Sequence, residues 1–338
     1  MKVIKTEDAV GTVLCHDMTQ IIPGEYKDAR FRKGHIVTEE DIPLLLSMGK
    51  ENLYVWEMQE GMLHENDAAL RMCNMCISDG MTKSEVKEGK IEIKAAVEGL
   101  FTVDSKKLNA INAIDDLMIA TRHGNTLVKP GDKLCGTRVI PLVIEEEKII
   151  QAEKVVEGKP ILSLIPLKLK KAGIITTGSE VFHGRIKDSF TPVVKQKLSG
   201  VGIEAVKHIM LDDGMDNIVA AINEMRALNV DVIICTGGMS VDPDDNTPGA
   251  IKKSGADIVT YGAPVLPGAM FLLGYFDDMP IMGLPGCVMY AKATIFDMVL
   301  PRVAAGVKLT KQDFVEMGEG GLCLGCDNCH FPNCGYGK

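Results

Sequence analysis

The 338-residue chain has a single tryptophan, and its aromatic residues amount to only 5 %. It has no surplus of positive charge, since 37 basic residues against 46 acidic ones leave a net charge of −9. No Lys/Arg run interrupts that balance, so neither a nucleic acid nor an anionic membrane surface is expected as a partner. No apolar run reaches bilayer-spanning length, and the N-terminus, MKVIKTEDAVG, lacks an apolar signal-peptide core. A cytoplasmic location is the expectation. Internal repeats and low-complexity stretches are missing as well. What remains is globular: 46 % hydrophobic and 25 % charged residues, at a length that suits two or three domains.

Cysteine departs from this plain composition. Cys15, Cys135, Cys235 and Cys287 are scattered, Cys73 and Cys76 form a C-x-x-C pair, and Cys323, Cys326, Cys329 and Cys334 crowd the C-terminus as C-x2-C-x2-C-x4-C. In a reducing compartment such spacing points to a metal or to redox chemistry rather than to structural disulfides. Free cysteines normally pack as small hydrophobes, which four on a glycine-rich terminus are not expected to do. The tail is therefore expected to hold an Fe–S cluster or Zn²⁺, with His330 as a spare ligand, or to dock a partner. Cys73 and Cys76 lie in a helical pattern beside Met72 and Met75, which favours core packing over a redox pair. His64-Glu65-Asn66 opens that helix and reads as a cap. Arg122-His123 reads as a turn.

Residues 1–60 alternate short apolar runs with turns, include a strand at Leu53–Trp56, and contain one helix at Thr38–Ser47 with Thr38 as its N-cap. They read as a small β-rich module. Residues 61–167 combine the helix from His64, strands at Lys90–Ala95 and Gly99–Val103, a helix around Leu108–Ala120 and a long β run in GDKLCGTRVIPLVI, an α+β module. EEEKIIQAEKVVEGK stays undecided. In residues 168–308, apolar strands without alternation are separated by helices, which predicts an α/β domain: a three-layer, mostly parallel sheet covered on both faces. Residues 309–338 form the cysteine-rich tail.

Three strands of that α/β domain stop at glycine-bearing loops: TTGSEVFHGRIKDS (176–189), CTGGMSVDPDDNTPG (235–249) and GLPGCVMYA (283–291). Each leads towards a helix, and ligands in such sheets sit at the carboxyl ends of the strands. Free backbone N–H groups at such turns suit an anion. The same loops nevertheless bring Glu180, Asp188, Asp242, Asp244 and Asp245, and Asp212 and Asp213 precede the next helix. Each loop alone reads as turn and cap chemistry. Together they make sense as a site if carboxylates and a substrate phosphate share a divalent cation such as Mg²⁺.

As a set, TTG-S-E-V…G-R-I-K-D-S, the Asp212-Asp213 pair, TGG-M-S-V…D and GLPG ahead of a helix resemble the molybdopterin-binding domain over about residues 171–305. That domain is shared by molybdopterin molybdotransferases and molybdopterin adenylyltransferases. Asp245-Asn246-Thr247-Pro248 resembles the adenylyltransferase form of its loop. The resemblance implies catalytic roles for Glu180, Asp188, Asp213 (or Asp212) and Asp245, with Glu180, Asp188 and Asp245 on Mg²⁺. It implies that Thr177, Gly178, Ser179, Thr236, Gly237, Gly238, Ser240, Pro285 and Gly286 bind the pterin. The implied activity is insertion of molybdate into adenylylated molybdopterin with release of AMP. The alternatives are a non-catalytic carrier that delivers the cofactor to a recipient molybdoenzyme, and an adenylyltransferase acting on molybdopterin. A homo-oligomer is also implied.

The chain departs from the molybdotransferase pattern at four places. Lysines of its K-P-G-K segment are replaced in Val265-Leu266-Pro267-Gly268-Ala269, D-S-N is Asp188-Ser189-Phe190, and L-P-G-N-P is Leu284-Pro285-Gly286-Cys287-Val288. The N-terminal half lacks the F-D-x-S-x-M-D-G-Y-A signature. Losing the lysines bears on catalysis more than on pterin binding, and Arg185 or Lys187 is the expected replacement.

Overall fold

The computed structural model describes residues 2–22, 26–55, 60–240, 242 and 245–337. They form two compact units: Met1–Val97 with Val103–Arg122 and Pro130–Ser163, and Glu98–Thr102 with His123–Lys129 and Leu164–Lys338. No helix among the described residues is long and apolar enough to cross a membrane.

In the first unit, Ala9, Leu14, Met18, Phe31, Val37, Leu45 and Leu53 close a small core. Strand Lys2–Lys5 pairs antiparallel with Asn52–Val55, and Met18–Ile22 pairs with Tyr26–Phe31; Trp56, expected in a strand, lies outside the described residues. The first helix is Asp41–Ser47, shorter than Thr38–Ser47, because the Thr38 N–H and hydroxyl both donate to the Asp41 carboxylate at 2.9 and 2.8 Å and hold Thr38 in a turn. Helix Glu65–Cys76 starts as the sequence indicates: the His64 side chain accepts from the Asn66 N–H at 3.1 Å. Cys73 and Cys76 are fully buried.

The helix expected over Leu108–Ala120 is instead a helix at Ser105–Asn112 followed by a strand at Leu117–Thr121. Asn112 is the hinge: its side-chain amide donates to the Ile119 carbonyl and accepts from the Ile119 N–H, both at 2.9 Å. Leu117 and Ile119 are then buried while Met118 is exposed, a strand alternation. That strand pairs with Lys133–Val139 in an antiparallel sheet that also holds Lys90–Ala95 and Met81–Lys83. The undecided EEEK stretch is helix Glu146–Val156, tied by Arg71 to Glu146 and Glu153 at 2.7 Å.

The second unit is built on a six-stranded sheet. In chain order its elements are β1 (Lys171–Thr177), α1 (Phe190–Ser199), β2 (Glu204–Leu211), α2 (Met215–Ala227), β3 (Val232–Thr236), α3 (Thr247–Lys253), β4 (Asp257–Tyr261), β5 (Leu272–Phe276), β6 (Met279–Leu284) and α4 (Ile295–Ala304). The strand order is β2-β1-β3-β6-β5-β4, with β2, β1, β3 and β6 parallel to one another and β5 pairing antiparallel with both β6 and β4. Neighbouring residues of one strand serve opposite faces. Ile174, Ile234 and Met282 pack against α1 and α4, whereas Ile175, Ile233, Cys235 and Ile281 pack against α2 and α3. This is the three-layer α/β arrangement expected for residues 168–308. Gly173 permits the close approach of α2, since a Cβ there would lie 2.5 Å from the Met225 sulfur.

The tail joins this core rather than standing free of it. Phe314 and Tyr336 are buried in the cluster formed with α1 and α4, and Cys323 and Cys334 pack against it. The expectation that none of the tail cysteines pack is thus corrected for these two. Cys326 and Cys329 are exposed.

Candidate functional site

Four parallel strands end at one edge of the sheet, and the loops that follow three of them enclose a cleft of ≈ 620 Å³. Of the residues singled out from the sequence, Thr177, Glu180, Asp188, Gly237, Gly238, Ser240, Asp242, Asp245, Pro285 and Gly286 line it. Asp244 lies outside the described residues. Lys187 lines the cleft and Arg185 does not, so of the two expected replacements for the missing lysines only Lys187 is in position.

The floor is a set of hydroxyls at the strand ends. Thr236 donates to the Thr176 hydroxyl at 3.1 Å, Thr177 and Thr247 hydroxyls lie 3.2 Å apart, and Thr247 donates to the Gly237 carbonyl at 2.9 Å. Thr236 is fully buried beneath the glycine loop. Gly237 and Gly238 both have positive φ, +85° and +55°. Beyond them, the backbone N–H groups of Gly238, Met239 and Ser240 donate no hydrogen bond among the described residues. Tyr261, from β4, fixes this loop by donating its hydroxyl to the carbonyls of Met239 and Ser240, at 2.9 and 3.3 Å. In a trans peptide the N–H points opposite the carbonyl, so the Ser240 N–H is left facing away from Tyr261. Three successive N–H groups without an acceptor among the described residues have the form of an anion cradle.

The acids divide by role. Asp213 accepts from the Ser179 N–H and hydroxyl at 2.9 and 3.0 Å, so it straps the first loop rather than lining the cleft. Asp212 accepts from the Gly214 N–H and the Asn217 side-chain amide and so holds the turn that enters α2, whose N-cap is Gly214. Asp188 accepts from the N–H groups of Phe190 and Thr191 at 2.9 and 3.0 Å, at the first turn of α1. Burial pushes the Asp188 carboxyl up, but the Thr191 and Phe190 hydrogen bonds and His208, 3.9 Å away, outweigh it and hold it below its ordinary value. Burial in turn lowers the His208 imidazole, whose Nε2 lies 3.0 Å from the Thr176 hydroxyl. Because the folded-state Asp188 is depressed, its contribution to stability is present above pH 3.8 and lost as pH falls through its folded value. Acid unfolding of an Asp188→Asn variant should therefore show a shallower pH slope below 3.8 than the wild type; superimposable slopes in fluorescence-monitored acid titrations would rule the assignment out.

Among the described residues, no three His, Cys, Asp or Glu side chains are grouped so as to hold a metal ion. Glu180, Asp188 and Asp245 are thus not a standing protein cage. Their donor chemistry fits Mg²⁺ in its usual mode, in which one or two carboxylates act together with substrate phosphates. His208 and Tyr261 were not evident as site residues from the sequence, and neither were the apolar wall residues Ile186, Met239, Met270 and Met289. His208 and Tyr261 reach the loops from β2 and β4, the two edge strands of the sheet, and no local motif marks them.

Residues 173–305 match the family model described as a probable molybdopterin binding domain, and residues 3–57 match one described as a domain of unknown function. A CinA-like protein of Desulfosudis oleivorans is 37 % identical over 25 % of this chain and 20 % of its own length. The molybdopterin molybdenumtransferase of Bacillus subtilis is 31 % identical over 34 % of this chain and 28 % of its own length. The chain therefore spans less than a third of either curated relative. A Methanocaldococcus jannaschii protein named for molybdopterin biosynthesis is 23 % identical over 68 % of this chain and 60 % of that one. Among solved structures, the molybdopterin biosynthesis enzyme MoaB of Thermus thermophilus is 19 % identical, covers 41 % of this chain and 98 % of its own, and superposes with a TM-score of 0.33.

Proposed function

With residues 173–305 matching the molybdopterin-binding domain, we propose that the cleft binds molybdopterin and that the protein acts in molybdenum cofactor biosynthesis, inserting molybdate into adenylylated molybdopterin. The observation that carries this reading is the run of N–H groups at Gly238, Met239 and Ser240, without an acceptor among the described residues, set against Glu180, Asp188 and Asp245 in one cleft. The N–H run suits a phosphate. Met239, Met270, Met289 and Phe190 offer an apolar, polarizable wall for a flat heterocycle. Mg²⁺, when bound by the carboxylates together with the phosphate, would offset their mutual repulsion and withdraw charge from the phosphoanhydride. The protein's own part is positioning. Asp213 holds the Ser179 turn, Asp188 fixes the start of α1, and Tyr261 fixes the donor loop. No covalent intermediate on the protein is needed, which is the logic of phosphoryl-transfer sites.

A second reading is a carrier that holds the finished cofactor for a recipient molybdoenzyme. It is favoured by the cation count: Lys187 is the one Lys or Arg lining the cleft among the described residues. The retained carboxylates favour catalysis, because simple capture of an anion gains nothing from them. Incubation with adenylylated molybdopterin, molybdate and Mg²⁺ separates the readings. AMP release supports insertion, tight binding without turnover supports the carrier, and turnover of free molybdopterin with ATP supports an adenylyltransferase. Failure to bind any pterin form overturns all three. In the insertion case, the Glu180→Gln/Asp245→Asn double variant should lose at least about 100-fold in AMP release, with pterin affinity changed less than about tenfold.

A further inference from the structure

The C-terminal loop is pinned at both ends. At its start Leu322 bridges Leu266 in parallel, the Leu266 N–H donates to the Gly321 carbonyl, and the Cys323 N–H donates to the Leu266 carbonyl, both at 2.8 Å. Gly321 is wedged there, since a Cβ on it would lie 2.4 Å from the carbonyl oxygens of Met317 and Pro264. At its end the Gly337 N–H returns to the Gly320 carbonyl at 3.0 Å, and buried Tyr336 donates its hydroxyl to the Pro267 carbonyl at 3.2 Å. The loop is closed at its base, and between its ends it contains neither helix nor strand.

Such a loop has little apolar burial of its own to offset the entropy of ordering it. Leu322 and Leu324 are 62 % and 84 % exposed. Its four thiols are instead arranged by position. Cys323 and Cys334 sit at the base against the core, while Cys326 and Cys329 are exposed at the tip. Free cysteine is among the most buried residue types, so two exposed thiols on a tip between two base thiols call for a chemical reason. Thiolates four in number, within one short closed loop, supply the ligand count of a soft-metal centre. The sulfurs are not yet gathered as ligands, and metal binding to such loops is itself the ordering step. The closed base shortens the search the tip must make.

The base of the loop also adjoins the cleft. Val288 lies in the same buried cluster as Tyr336, and Cys323 and Cys334 pack against that cluster. Val288 belongs to the 3₁₀ turn Gly286–Met289, and Pro285, Gly286 and Met289 are cleft wall. The pinning strand contact uses Leu266 and Pro267, where the resembling family carries a cationic segment.

We propose that the loop Gly320–Gly337 is a tetrathiolate metal site, with Cys323, Cys326, Cys329 and Cys334 as its ligands, and that loading it stiffens the Leu266–Pro267 segment and, through the cluster shared with Val288, the Pro285–Met289 wall of the cleft. The chemistry is the same for a zinc ion and for an iron–sulfur cluster, and the test separates them. The full-length protein is purified anaerobically and assayed for zinc, iron and acid-labile sulfide. It is then stripped and titrated with Co²⁺ as a probe of thiolate ligation, with zinc in competition.

One zinc per chain, or iron with matching sulfide, supports the site and identifies its occupant. Absence of both, with no cobalt–thiolate charge-transfer absorbance, overturns it. A Cys326→Ser/Cys329→Ser variant alters only exposed positions and should fold normally while losing metal affinity by more than about 1000-fold. Unchanged affinity overturns the ligand assignment. Hydrogen exchange on stripped and loaded protein reads the coupling. Loading should slow exchange at Leu266, Cys323 and Val288 by about tenfold or more. Unchanged exchange at Val288 on loading overturns the coupling. No pterin enters these measurements, so their outcome is independent of the proposed activity.

Discussion

Replacing Gly237 by alanine is expected to destabilise the second unit by more than about 3 kcal/mol, while the same change at Gly238 costs about 1 kcal/mol. The two positions look alike in sequence and both have positive φ, which disfavours any L side chain. They differ in what a Cβ would meet. At Gly237 it would lie 2.1 Å from the Thr177 carbonyl oxygen, a backbone atom at the end of β1 that is fixed by the sheet. At Gly238 the nearest atom is the Thr247 hydroxyl at 2.9 Å, the end of a side chain that can turn aside. Urea unfolding of the two variants checks the difference, and equal losses would refute it. The first glycine of the pair is therefore required by the meeting of two strand ends, whatever the cleft holds.

Glu65→Gln is expected to remove a pH dependence of about 3 kcal/mol from the stability of the first unit. Glu65 opens the helix Glu65–Cys76 and is 8 % exposed. Burial first, then the charge of Glu88 with a smaller part from Asp17, raises its carboxyl from 4.5 to about 7, against the opposing pull of Arg138 and Lys33. For an acid raised in the folded state, the native protein resists deprotonation. Stability is thus full below pH 4.5 and is lost as pH rises through about 7. Wild-type and variant proteins compared in urea at pH 5 and pH 8 should converge at the lower pH and separate at the higher one, with the wild type weaker. Parallel behaviour would show that the carboxylate is not desolvated.

The α/β layer was legible because its strands are continuous apolar runs that stop at glycine. Lys171–Thr177, Val232–Thr236 and Met279–Leu284 lie where composition places them. The misplaced helix at Leu108–Ala120 shows the limit. Leu117 and Ile119 satisfy a helical window as well as a strand, and the decision was taken by Asn112 and by pairing with Lys133–Val139, contacts the local sequence does not contain. The third loop likewise leads first into a 3₁₀ turn at Gly286–Met289, and the helix that follows begins only at Ile295, capped by Thr294. The site followed the same rule. Glycines and acids in the loops announce themselves, whereas Tyr261 and His208 act across strands. Asp213 proved to be a strap on Ser179, a role that depends on the neighbouring loop.

The hydroxyls under the cleft have one further property. Thr191, Thr176 and Thr236 lie in hydrogen-bond contact with one another, and the His208 Nε2 is 3.0 Å from Thr176 and 3.3 Å from Thr191. Thr236 donates to Thr176, so the Thr176 hydrogen is left for Thr191 or for the His208 Nε2. A neutral His208 with its proton on Nδ1 accepts that hydrogen at Nε2. Protonated His208 turns Nε2 into a donor, and Thr176 then directs its hydrogen to Thr191. The partner of the Thr176 hydroxyl at the floor of the cleft is thereby set by one imidazole on the outermost strand of the sheet.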